Sequence, residues 1–549
     1  MQMLLRSLLL VLLFGQVMSA HALEPVEEQI RQYSESILRG DDAAISGQRV
    51  AAIMLLPDFY AERGFQPAWS DPARFQQLLQ VLGSAESHGL DPEDYHYATL
   101  AAWPKDPDPQ QEAAKDVLAT DALIRFGYHL QFGKVDPTGL DPDWNLTRQL
   151  RNQDPAKLLE QAVAATELNG FLTANLGPNG IIYTGLRKAL ARYRDIAAAG
   201  GWPQVAEGAT LHPDDRDPRV AALRARLAVT DPTVQADVPD PSLFDADLAD
   251  AVKRFQLQHG LDDDGVVGAR TVEALNVPAE ARVDQLKVNL ERTRWVFRDL
   301  EPRFLVVNIA GFEAYLVEDD KLVWNSRVQV GKPYRKTPVF KKQMTYLVLS
   351  PTWTVPPTIL KKDIIPKIKK NPAYLSENNM VLLDRSGKQV NTNNIDFDKL
   401  SPGNFPYMVR QEPGPKNALG RIKFMFPNKH LVYLHDTPSR SLFNKAERTT
   451  SSGCIRVEKP ISLAAELLGD PVNWSEAKVE ERISKASNET VKLNNPITVF
   501  LMYWTSVPDG DGDVRFFSDV YSRDQAVLDG LRQPFKFSAV HAENDTPQG

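Results

Sequence analysis

Cysteine is almost absent: Cys454 is the sole one in 549 residues, so no internal disulfide is possible and every domain must stand on packing alone. A dominant charge is also missing. The 71 Asp+Glu against 63 Lys+Arg leave a formal charge of −8, which supplies no global attraction to nucleic acid or anionic lipid, and no nucleic-acid partner is expected. No run after the first residues is apolar over the roughly 20 residues that cross a bilayer. No His/Cys/Glu cluster between about Glu24 and Trp202 has ligand spacing. The string Asp262-Asp263-Asp264 lacks the alternating acidic spacing and distal Glu of a calcium loop, and Asp509-Gly510-Asp511-Gly512-Asp513 is followed by Val514 where Gly is needed and Val520 where Glu is needed, so both read as polar turns. Neither a metal nor a cofactor is expected.

What is present is an ordinary globular composition, 43% hydrophobic and 24% charged. At roughly 150 residues per domain the length predicts about three or four domains. Arg6, the apolar stretch Leu8 to Val17 and the Ala20-His21-Ala22 pattern predict a cleaved export signal over 1–22, with a mature chain from near Leu23 in an oxidising compartment. No cysteine follows to carry a lipid.

Apolar spacing then divides the chain. Residues 23–205 read as a helical scaffold, with Val26, Ile30, Tyr33 and Ile37 on one stripe and a helix from Val117 to Phe132 that stops at Gly133. Residues 206–280 read as a small three-helix unit, and 281–300 as a connecting helix through Val283 to Phe297. In 301–535 the period changes to that of strands, at 303–309, 313–317, 321–330, 343–349, 421–426, 430–434, 497–504 and 514–517. A β-rich sandwich or closed sheet is expected there, interrupted between about 356 and 415 by Lys-, Pro- and Asn-rich sequence too long for an ordinary loop. Residues 536–549 remain as a tail. The whole reads as a multidomain α+β chain. The basic run Lys361 to Lys370 is either a solvated face or a contact for acidic peptides.

The three-helix unit carries Phe255-Gln256, Gly260-Leu261, Asp264-Gly265 and Gly268 with Thr271. In these residues it resembles the small peptidoglycan-binding domain, which implies attachment to cell-wall polymer.

Chemistry concentrates around the lone thiol. A strand from His430 to Leu434 delivers His435-Asp436, and Ser451-Ser452-Gly453-Cys454-Ile455-Arg456 follows. Unperturbed Cys titrates near ~8.5, so a nucleophilic thiol needs a base, for which His435 is placed. Gly453 clears room for an acyl group, and backbone N–H groups around Gly453 and Cys454 are candidate oxyanion donors. If the segment is extended, Cys454 and Arg456 share one face while Ile455 and Val457 enter the core. Asp436 points to the opposite face from His435, so a backbone carbonyl is the expected partner of the imidazole. Tyr433, Asp436, Ser451, Ser452 and Trp353 are candidate substrate-binding residues.

The set His435, 15 intervening residues, then Ser451-Ser452-Gly453-Cys454-Ile455-Arg456 resembles the signature of the L,D-transpeptidase catalytic domain, here in its large periplasmic, scaffold-bearing form with an inserted capping subdomain. Ser452 stands where many relatives carry His. The resemblance implies Cys454 as nucleophile, His435 as base and Arg456 as a positioning residue, acting on peptidoglycan stem peptides and glycan, with other cell-wall enzymes as further partners. It implies 3-3 cross-linking through a thioester; the alternatives are L,D-carboxypeptidase activity on the same stems and a non-catalytic wall-binding scaffold. A serine D,D-peptidase reading of Ser475-Glu476-Ala477-Lys478, Ser376-Glu377-Asn378 and Lys336-Thr337 fails, since the motifs stand in the wrong order and Pro338 replaces the required Gly.

Overall fold

The computed structural model describes residues 23–534 apart from 41–43, 142, 147, 149–153, 179, 298–299, 393–394, 402 and 510–512, so the expected leader and tail lie outside the described residues. Among the described residues no helix is long and apolar enough to cross a membrane.

The scaffold is built on one buried helix. α1 (Pro25–Arg39) packs the stripe of Ile30 and Ile37 against α2 (Pro109–Phe132), which starts in a capping box between Asp108 and Gln111. Because α2 is buried on nearly all sides, its acidic residues anchor neighbouring chain. Asp116 accepts the N–H groups of Ala68 and Trp69 and the Tyr60 hydroxyl at 2.6–2.9 Å. Asp121 likewise accepts the N–H groups of Ala51 and Ala52. α3 (Ile181–Ala198) completes the scaffold.

The small unit folds as α4 (Arg219–Thr230), α5 (Ala246–Gln258) and α6 (Ala269–Leu275) around Leu223, Phe244, Leu248, Val252, Phe255 and Leu275. Its motif has a structural cause. The buried Gln256 amide donates to Asp264 and to the Val266 carbonyl and accepts the Gly265 N–H, so one side chain ties the Asp-Gly loop to the helix core.

α7 (Ala279–Arg294) joins the units, ending earlier than the expected Phe297. Asn289 exchanges two hydrogen bonds with Thr505, at 2.8 Å each, while Glu291 accepts the Val135 N–H at 2.6 Å. One helix thereby holds both scaffold and β domain. α8 (Asp524–Arg532) buries Val527 and Leu531 in the scaffold core, although it follows the β domain in sequence.

The β domain is a closed sheet. Its strands are β1 (Arg303–Asn308), β2 (Glu313–Glu318), β3 (Lys321–Gly331), β4 (Phe340–Leu349), β5 (Ile422–Met425), β6 (Leu434–His435), β7 (Thr449–Ser451), β8 (Ile455–Val457) and β9 (Glu489–Met502). The order is β7-β3-β8-β6-β5-β4-β9-β1-β2, and β2 pairs back onto β3. Closure removes the exposed edges that a strand-rich domain must otherwise protect. Two expectations are corrected. The strand expected over 430–434 is a turn until Leu434, with Leu431 at φ +55° and Asn428 Oδ1 accepting the N–H groups of His430 and Val432. The strand expected over 497–504 runs instead from 489 to 502, and a separate antiparallel pair, Ser506–Pro508 with Val514–Phe516, follows it; the expected acidic turn lies partly outside the described residues.

The insertion leaves after β4 and returns at β5. It has its own sheet, ordered Trp353–Thr354, Met408–Gln411, Met380–Leu383, Gln389–Val390, and its own core of Val355, Ile364, Ile368, Leu375, Leu382 and Val409. A separate core predicts separate stability. Ile368→Ala removes a fully buried side chain at a cost of about 2–5 kcal/mol, and hydrogen exchange should show lost protection confined to 353–411 while β4 and β9 stay protected. Equal loss across the closed sheet would show one cooperative unit instead.

Candidate active site

The site forms where β6 lies parallel to β8, with Leu434 opposite Ile455 and His435 opposite Arg456. Ile455 N–H donates to the Tyr433 carbonyl at 3.0 Å, which sets Cys454, one residue ahead of β8, beside Tyr433. Ile455 and Val457 are fully buried, whereas Cys454 and Arg456 are partly exposed, as strand alternation requires.

The thiol is half-buried and lies 3.8 Å from the Leu431 carbonyl oxygen. Burial pushes its pKa above the ordinary thiol value. The Tyr433 backbone N–H and phenol, with the cations Lys423 and Arg456, act against that rise. Lys423 lies directly opposite His435 on β5, its Nζ 3.9 Å from the centroid of the Tyr433 ring. Its own pKa is lowered by burial and supported by the nearby thiol. Arg456 donates to Gln329 at 3.1 Å. Sequence reasoning missed Lys423, yet the alternation of Ile422 and Phe424 into the core carried the signal.

His435 is buried, and Nδ1 meets the Asp436 carbonyl at 2.5 Å. A carbonyl only accepts, so Nδ1 carries the proton and Nε2 holds the lone pair. Burial, then Arg456, pulls the imidazole pKa down to about 3, with the carbonyls of Asp436 and Leu419 pulling the other way. The free site therefore rests as neutral imidazole and neutral thiol.

The other candidate residues separate into two groups. Trp353, on the first strand of the insertion, hydrogen-bonds the Tyr433 side chain, which also bonds the thiol. Ser452 is exposed and accepts Arg335 Nη1 at 2.7 Å. By contrast Asp436 is buried and occupied: Oδ2 accepts the Arg421 N–H at 2.9 Å and Oδ1 accepts Arg440 at 2.7 Å. Its carboxylate holds the chain after β6 and faces away from the thiol. Ser451 Oγ donates to the Cys454 carbonyl at 2.5 Å and accepts the Gly453 N–H at 3.1 Å, shaping the loop that presents the thiol. Ser475 caps a helix and Ser376 lies in the insertion, so the serine-peptidase fragments do not assemble. Among the described residues no group of three or more His, Cys, Asp or Glu could hold a metal.

The closed β domain brings the strand after Gly453-Cys454 against the strand that ends in His435, and residues 302–473 match the L,D-transpeptidase catalytic domain. Residues 216–275 match the family described as "Putative peptidoglycan binding domain", and residues 55–190 match the "Scaffold domain". A Haemophilus influenzae protein named "Putative L,D-transpeptidase" is 35% identical over 254 residues, which are 45% of this chain and 50% of that protein. The match thus spans about half the length of this curated relative.

The neutral resting pair has a measurable consequence. Alkylation of Cys454 by iodoacetamide should rise roughly tenfold per pH unit from pH 6 to 8, because thiolate is then formed only by titration of a thiol whose pKa is raised. A plateau across that interval would show a preformed thiolate–imidazolium pair.

Proposed function

We propose that the protein is a peptidoglycan L,D-transpeptidase that forms 3-3 cross-links through a thioester on Cys454. The observation that carries this reading is the β6–β8 pairing, which brings the strand that follows the lone thiol against the strand that ends in a buried imidazole whose Nδ1 is tied to a backbone carbonyl, leaving Nε2 to serve as base. His435 takes the thiol proton as Sγ attacks the carbonyl carbon of the diamino acid in a tetrapeptide stem. The tetrahedral oxyanion collapses, the C–N bond breaks, and the D-alanine amine leaves with the proton from His435. An amine of a second stem then attacks the thioester, gives its proton to His435, and releases Cys454 as the thiol with the new amide bond.

Lys423 and Arg456 support this reading by offering positive charge to the thiolate and to the carboxylates of the stem. The three-helix unit supports retention on the wall, with glycan and stem peptides as partners and other wall enzymes as neighbours. Export to the periplasm follows from the leader pattern of residues 1–22. Water in place of the second amine gives L,D-carboxypeptidase activity from the same thioester, and Trp353, which joins the insertion to the Tyr433 side chain bonded to the thiol, supports a water-limiting role of the insertion that favours the amine.

Mass analysis of muropeptides after incubation with tetrapeptide-bearing sacculi tests the reading: dimers are expected, tripeptides would show the carboxypeptidase, and unchanged wall would refute catalysis. Cys454→Ser should abolish turnover while sacculus retention persists, and full activity in that variant would exclude the thiol mechanism. His435→Ala should lower turnover by roughly 10²–10⁴-fold, the usual worth of a positioned general base. Replacing 356–415 by a short linker should raise tripeptide relative to dimer; an unchanged ratio in a folded protein would remove the water-excluding role of the insertion.

A further inference from the structure

The loop between β3 and β4 lies beneath the catalytic loop, and the contact is built from few atoms. The Thr337 hydroxyl donates to the Gly453 carbonyl at 2.8 Å and accepts the Gly331 N–H at 2.9 Å. The Tyr521 hydroxyl, from the segment before α8, donates to the Gly331 carbonyl at 2.5 Å and accepts the Thr337 N–H at 3.2 Å. Thr337 is fully buried and Tyr521 almost so. Gly331 is required for the approach: a Cβ there would stand 2.1 Å from the Arg335 carbonyl oxygen and 3.1 Å from Gly453 Cα.

The consequence follows from the planarity of the peptide. In a trans peptide the C=O and N–H point in opposite directions, and the described chain contains no cis bond. With the Gly453 carbonyl held inward by Thr337, the Cys454 N–H is turned outward on the side of the thiol. The Gly453 N–H is already taken by Ser451 Oγ, and the Cys454 N–H has no acceptor among the described residues. Gly453 sits at φ +118°, where a side chain is strained, so its peptide is held in this orientation by hydrogen bonds rather than by backbone preference.

We propose that Thr337 and Tyr521 are positioning residues for acyl transfer, fixing the Gly453–Cys454 peptide so that the Cys454 N–H meets the oxyanion formed when Sγ adds to a carbonyl. This deepens the acyl-transfer reading of the same site and rests on the thiol as nucleophile. It requires nothing of the wall substrate. The Lys336-Thr337 pair, which in sequence resembles a fragment of a serine-peptidase motif, thereby acquires a role at a cysteine.

Two reagents separate positioning from general damage in the full chain. Transfer of an acetyl group from p-nitrophenyl acetate to Cys454 passes through an oxyanion, whereas alkylation by iodoacetamide displaces halide at saturated carbon and forms none. Mass spectrometry reads both modifications. Thr337→Val should slow acetylation by roughly ten- to a hundredfold, the order expected for a displaced oxyanion donor, with alkylation within about twofold of the parent. Thr337→Ser keeps the hydroxyl and should restore acetylation, and Tyr521→Phe should slow acetylation selectively by a smaller factor. Should Thr337→Val lose its fold, the acetylation-to-alkylation ratio of Tyr521→Phe decides. Equal rates in Thr337→Val and parent, an equal fall in both reactions, or failure of Thr337→Ser to recover would overturn the proposal. Because neither reagent resembles wall peptide, failure of the muropeptide assay leaves this test intact.

Discussion

The site depends on one short parallel pairing inside a mostly antiparallel closed sheet, β6 against β8. Two residue pairs suffice, Leu434 with Ile455 and His435 with Arg456, because each strand is also held on its other side. β6 is paired to β5, and β8 to β3. A parallel connection needs a long crossover, supplied here by the loop from Asp436 through Arg448 and by β7. The register places a base, a cation and a thiol together, and the core side chains Leu434, Ile455 and Val457 make slippage costly, since a shift by one residue would exchange buried and exposed faces.

Electrostatically the site is held short of reaction. Burial disfavours charge on both partners, raising the thiol and lowering the imidazole, so proton transfer between them in the free protein is opposed twice. Lys423 and Arg456 reduce the cost of thiolate while raising that of imidazolium. Under the proposed mechanism, charge separation becomes favourable only when a substrate carbonyl supplies an acceptor for the electron pair, so His435 would act as a general base during attack. The arrangement also carries a cost in acid. An unfolded chain takes up a proton on this residue near pH 6.5, while the folded chain refuses it until about pH 3, so His435 withdraws stability as pH falls through that window.

Local chemistry in the sequence made much of this readable. Alternation around Cys454 assigned the faces, the Gly453-Cys454 pair marked the candidate nucleophile, and the change from helical to strand period located the β domain. Legibility ended where long-range packing overrides local pattern. His430 to Leu434 has the apolar content of a strand, yet Asn428 folds its backbone into a turn and Leu431 takes a left-handed conformation that its side chain disfavours. The first half of β9 was missed because Asn494, Asn495 and Pro496 punctuate it like a loop, and the structure absorbs them as a register shift between Lys492 and Ile497. Asp436 looked available for substrate because it follows the candidate base His435. Its partner Arg440 lies four residues on in the same loop, but Arg421 comes from a separate segment that no local pattern links to it.

The insertion is fixed at its stem and lightly held at its tip. Asn417 is buried at the stem, where its amide donates to the Pro351 and Glu412 carbonyls at 3.0 Å each, joining the departing and returning chain beside the β4–β5 ladder. Four hydrogen bonds of a single buried side chain, counting those to the Gln411 carbonyl and from the Leu419 N–H that Oδ1 accepts, make this junction costly to open. Near the thiol the link is Arg335, which bridges Asp363 of the insertion at 2.9 Å and Ser452 of the catalytic loop. Asp363 is 40% exposed, and a pair so solvated contributes about 0–1 kcal/mol. The buried junction at Asn417 and the solvated pair at Asp363 therefore differ in strength. Arg335 and Thr337 belong to the same loop, so the element that meets the tip of the insertion is also the one that holds the Gly453 carbonyl.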